Sequence, residues 1–217
     1  MPEPLSAAPV DNILRAAAIG FCGKLPARGD FVTAGLPRRF AEAWHDWLQP
    51  VLAASRRALG EDWLAAWLEA PVWRFALSPG ICGPDSVLGL WMPSVDSVGR
   101  HFPLTFAAIA SNADPVLLIR EGGGFLAAVE GLGREALADD LAPDVLTTQL
   151  ATVASAEASD AGIDSEQCPS AGSLWWSAGS PRVPRTAFAS ESLPGEAAFV
   201  GMLDAGAVVS EADFREP

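Results

Sequence analysis

The chain has 217 residues, half of them apolar, and a formal net charge of −13. The length suits one large domain, and the charge argues against nucleic acid or an anionic membrane as main partner, because both reward clustered Lys and Arg. The charge is uneven: residues 1–110 hold 9 basic and 10 acidic groups, residues 111–217 hold 5 and 17. The second half is therefore an acidic surface, either a solvated face or one that steers a basic partner. Steering would show as binding that weakens with salt.

Residues 1–17 are rich in Pro and Ala and read as a flexible lead-in. "AAIGFCGKL" is short, apolar and stopped by Pro26, which predicts a strand over 18–24. Pro37 suits the first turn of a helix. Phe40, Trp44, Trp47, Leu48, Val51 and Leu52 then form one apolar stripe, and Gly60 ends the helix. Trp63, Leu64, Trp67 and Leu68 predict a shorter helix stopped at Pro71.

The period then changes. "VWRFAL" (72–77) and "VLGLWM" (87–92) alternate as strands around a Gly-Pro turn and read as an antiparallel hairpin. "FPLTFAAIA" (102–110) is a third strand in series. Residues 114–138 predict two short helices interrupted at "GGG", and 143–155 another opening at Pro143. The small, acidic stretch 154–172 reads as a mobile insertion. "SLWWSAG" (173–179) and "RTAFAS" (185–190) read as strands, and "GEAAFVGML" (195–203) as a closing helix or strand. The order predicts an α+β domain, a mostly antiparallel sheet flanked by helices, spanning 18–217.

No motif assembles a catalytic group. Ser94 lies outside any Gly-x-Ser-x-Gly elbow, and neither it nor Cys82 is tied by motif to His101. "GKLPARGD" (23–30) lacks the spacing of a nucleotide-binding loop. Cys22, Cys82 and Cys168 are too few and too scattered for a disulfide framework, and His45 and His101 give no zinc spacing. No metal or cofactor is expected. The first 20 residues lack a basic, then apolar, export signal, and no run of about 18 apolar residues occurs. The expected location is cytoplasmic, which removes the adhesive reading of Arg28-Gly29-Asp30.

What remains is architectural. The 23–32 stretch reads as a corner taking the first strand toward the long helix, with Arg28 and Asp30 paired or capping the turn. Asp96 is suited to accept N–H bonds, and Arg28, Arg74 and Arg100 to bridge carboxylates or carbonyls. Of the eight tryptophans, Trp91 and one of Trp175 and Trp176 must face the opposite side of their strands. Each is either covered by a helix or an exposed interface anchor.

The segments "GFCGKLPARGDFV", "LPRRFAEAWHDWLQPVL", "LGEDWLAAWLEAPVWRFAL", "LWMPSVDSVGRHFPLT" and "SLWWSAG" together resemble, in order, the signature of the TagF family of type VI secretion accessory proteins. The match is dense over 19–106 and looser beyond. Cys22 and His101 stand where the family often has aromatic residues, so neither is given a role. The resemblance implies an α/β sandwich comparable to longin-type domains. It also implies a non-enzymatic cytoplasmic repressor that binds a forkhead-associated scaffold protein of the apparatus. A small serine or cysteine hydrolase and a structural baseplate component are the alternatives. The expected partner surface is the loops 24–30 and 93–100, through Lys24, Arg28, Asp30, Asp96 and Arg100, with Trp91 as anchor.

Overall fold

The computed structural model describes residues 13–153, 159–169 and 171–208. A single helical turn, α1 (Ile13–Ala16), leads into strand β1 (Ala18–Gly23). The chain does not pass from there straight to the long helix, as the sequence suggested. It turns back as β2 (Val32–Ala34), antiparallel to β1 with Gly23 opposite Val32. Helix α2 (Arg38–Leu59) follows, then one 3₁₀ turn and α3 (Trp63–Glu69). The strands β3 (Trp73–Leu77), β4 (Ser86–Met92) and β5 (Leu104–Ala110) form the predicted antiparallel series. Three helices come next: α4 (Pro115–Glu121), α5 (Gly123–Ala138) and α6 (Pro143–Val153). After β6 (Ser173–Ser177) and β7 (Thr186–Ser190), helix α7 (Glu196–Leu203) closes the described chain. The sheet order is β2-β1-β5-β4-β3-β6-β7, antiparallel throughout.

Strand alternation sorts the core into two halves. Trp73, Phe75, Leu77, Trp91 and Trp175 face a layer made by α2, α3 and α7. Ala76, Leu88, Leu90, Phe106 and Trp176 face a layer made by α4, α5 and α6. Every residue of β4 and β5 is buried, because helices cover both faces of the central strands. That double cover explains why their sequences read as nearly continuous apolar runs. The first layer is aromatic: Trp44 stacks on Phe40 at 5.6 Å and on Trp175 at 6.0 Å, and its indole N–H donates to Thr105 Oγ1 at 3.0 Å. Aromatic pairs of this kind add about 0.5–1.5 kcal/mol each beyond area burial.

Two expectations about tryptophan exposure are resolved here. Trp91, expected as a possible surface anchor, is fully buried, stacked between Trp67 and Phe199. Trp175 and Trp176 do face opposite sides, and both are buried. Of the stretch expected to be a mobile insertion, 154–158 and 170 lie outside the described residues. The described part is stitched to α4: Ser159 N–H donates to Glu121 O at 3.3 Å and Ala161 N–H to Ile119 O at 3.2 Å. Cys168 packs into the α4–α6 layer.

Candidate interaction site

Strands β1 and β5 are sheet neighbours, with Cys22 opposite Thr105. The loop leaving β1 and the loop entering β5 are therefore side by side, although some 70 residues separate them. Gly23 makes the close approach possible. Its φ is 136°, and a Cβ there would lie 2.0 Å from the carbonyl oxygen of Pro103, so only glycine fits without strain.

Asp96 joins the two loops. Its side chain has no solvent exposure. One carboxylate oxygen accepts the backbone N–H groups of Val98 at 3.0 Å and Arg100 at 2.8 Å. The other accepts Arg100 Nε at 2.7 Å and the Lys24 ammonium. Desolvation alone would raise the pKa of this carboxyl. The hydrogen bonds from Lys24, from the Arg100 backbone and side chain, and from Val98 outweigh it and hold the group well below the usual carboxylate range. Further bonds tie loop to loop. Ser94 Oγ donates to Lys24 O at 2.7 Å, Ser97 N–H to Arg28 O at 3.1 Å, and the Arg100 guanidinium to Gly29 O. Ser94 O in turn accepts the Trp67 indole N–H at 3.2 Å, anchoring the junction to α3.

The sequence-predicted residues thus divide. Lys24, Asp96 and Arg100 converge on one buried carboxylate. Trp91 lies in the core, away from any surface. Arg28 and Asp30 are exposed, and among the described residues neither side chain makes a hydrogen bond or ion pair, so the expected Arg28–Asp30 pairing or cap does not form. The turn is closed by backbone instead, with Arg28 N–H donating to Leu25 O at 3.1 Å. Both side chains point outward as a result.

No sequence motif marks an adjoining cleft of about 480 Å³. It lies between the α2–α3 corner and the junction, lined by Arg56, Glu61, Trp63, Leu64, Arg100 and His101. The Arg56 guanidinium sits 4.3 Å over the Trp63 ring. The imidazole of His101 meets Trp63 and Trp67 edge-on, and desolvation, helped by Arg56, lowers its pKa. Arg56 and Trp63 belong to different helices joined across Gly60, so no single helical period relates them. Leu64 and Val98 beside the cleft and Phe31 on the first loop are exposed apolar side chains.

The hydrolase constellation is not assembled. The Ser94 hydroxyl is committed to a backbone carbonyl, and burial pushes the Cys82 thiol up to about 12. His101 packs on tryptophan rings. Among the described residues no group of three or more His, Cys, Asp or Glu side chains could hold a metal ion, and no helix is long and apolar enough to cross a membrane.

Fold and junction together define an α+β sandwich domain that presents a braced pair of loops. The chain belongs to the TagF N-terminal domain family, which is type VI secretion system-associated, with residues 20–153 matching the family model. A solved structure, that of PA0076 from Pseudomonas aeruginosa PAO1, is similar at 33% identity, with a TM-score of 0.77 over 88% of this chain and 96% of that one. No curated protein matches. The junction, the cleft and all the predicted site residues fall within the family match, whereas β6, β7 and α7 lie beyond it.

Proposed function

We propose that this chain is a non-enzymatic repressor of type VI secretion that acts in the cytoplasm by binding a forkhead-associated scaffold protein of the apparatus, with the loop junction as contact surface. The association with type VI secretion comes from the family. The choice of surface rests on one observation: the Asp96 lock orders two loops that expose Arg28 and Val98, together with the outer edge of Phe31, whose inner edge packs on His45 and Phe102. Loops ordered before binding avoid an entropic cost on association, and an exposed arginine beside apolar side chains has the composition of an interface centre.

Deleting the gene in its native host should raise secretion of a type VI substrate, and overproducing the protein should silence it. Unchanged secretion in both strains would reject the repressor role. Pull-down from the same host, followed by mass spectrometry, should recover the forkhead-associated scaffold. If the acidic second half contributes by steering, that binding weakens as salt rises.

A further inference from the structure

The sheet ends on two unlike edges. One is β2, only three residues long. The other is β7, Thr186–Ser190, with the sequence TAFAS. It contains no charge, proline or glycine, the devices that normally blunt an edge strand. Its inner side pairs with β6, and among the described residues no backbone hydrogen bond reaches its outer side. Clefts border both faces of the strand. One of about 520 Å³ is lined by Arg74, Trp176, Arg185 and Ala187, and one of about 280 Å³ by Trp73, Phe188 and Met202.

Charge returns just outside the strand. Arg185 precedes it and Glu191 follows it, both exposed. Neither side chain has an ion pair or hydrogen bond among the described residues. Phe188 packs against the α2–α7 layer, Arg185 lines the cleft on the opposite, Ala187 face, and pairing that continued the strand's alternation one residue past its end would put Glu191 on that face too.

We propose that β7 pairs with β7 of a second copy of this chain, antiparallel about a two-fold axis at Phe188, making one sheet continuous across both copies. The register follows from charge. Self-pairing of an antiparallel strand must centre on a residue. Centring on Ala187 sets Arg185 opposite Ala189, and centring on Ala189 sets Glu191 opposite Ala187. Only centring on Phe188 places Arg185 of each copy across from Glu191 of the other, on the same face, twice by symmetry. A five-residue edge buries less than a standard interface, so the dimer is concentration-dependent.

Analytical ultracentrifugation of the full chain from about 1 to about 200 µM tests this, a range that brackets weak self-association. A monomer–dimer equilibrium is expected. Arg185→Glu and Glu191→Arg should each weaken the dimer at least ~10-fold, because each turns two attractive cross-strand pairs into two like-charge pairs. The double variant Arg185→Glu/Glu191→Arg should restore it. Circular dichroism and thermal melting of all three should match the parent, since both side chains are exposed and unpaired in the monomer. A monomer at every concentration overturns the proposal and leaves the edge to a strand of another chain. A dimer that ignores the single reversals, or that the double variant fails to restore, overturns it as well.

Discussion

Arg28→Ala and Arg100→Ala separate contact from scaffold within one junction. Arg100 donates Nε to Asp96 and its guanidinium to Gly29 O, bracing one loop against the other. The side chain is 59% exposed, so solvent screens the ion pair, and Asp96 keeps Lys24 and two backbone donors after the truncation. Losing these bonds should cost about 1–2 kcal/mol. For a domain of this size that is a fall in Tm of about 2–8 °C. Arg28 makes no such bond, so its truncation should stay within about 0.5 kcal/mol of the parent. The binding assay should rank them the other way. With purified scaffold protein in calorimetric titration, Arg28→Ala should weaken affinity by ~10-fold or more, as for an arginine at an interface centre. Thermal melting by circular dichroism supplies the first comparison. If Arg28→Ala melts as low as Arg100→Ala, the exposed and unpartnered reading of Arg28 is wrong. If it melts normally and binds normally, the junction is not the contact surface.

Two further substitutions probe how the junction is built. Asp96→Asn should destabilise at neutral pH, and the gap to the parent should close on acidification. A carboxyl whose folded pKa is depressed contributes stability above its ordinary pKa and loses it as pH falls through the lowered value, so the gap should narrow below about pH 4 in denaturant midpoints. A gap independent of pH would contradict the lock. Gly23→Ala forces a Cβ against Pro103 O at a positive φ and should cost about 3 kcal/mol, read as a lower urea midpoint. A midpoint equal to the parent's would show that the two loops are not held in this close approach.

Most of the architecture is legible in the sequence, because each long element carries its own period. The stripe from Phe40 to Leu52 is helical on its face, and the Trp73/Phe75 and Arg74/Ala76 alternation assigns β3 to both layers. β2 is not legible. Three residues carry no period, and only pairing with β1 makes Val32–Ala34 a strand. The sequence leaves Trp91 open between cover and exposure because half of its cover, beside Trp67 of α3, is Phe199 of the distant α7. The window EAAFVGML is apolar on every side, so it does not announce which strand it will lie on. Arg28 and Asp30 invited a local pairing by being two residues apart. The backbone closed the turn without them, and the carboxylate that organises the loop came from Asp96, 72 residues beyond Lys24.

That distant partnership follows from topology. Two antiparallel neighbours bring the exit of one strand beside the entry of the other, and β1 and β5 are such neighbours, with β4 and β3 continuing the sheet on the far side of β5. The 24–30 and 93–100 loops therefore become one surface as soon as the sheet is complete. Two flexible loops brought together only by a ligand would have to be ordered at the moment of binding. Here backbone donors, Lys24 and Arg100 satisfy Asp96 within the domain, and Ser94 with Trp67 fixes the junction to α3. The shape offered to a partner is set by folding. On the proposed reading, Arg28, Val98 and the exposed edge of Phe31 would be the contact patch, and shape and charge placement, rather than area, would decide its affinity.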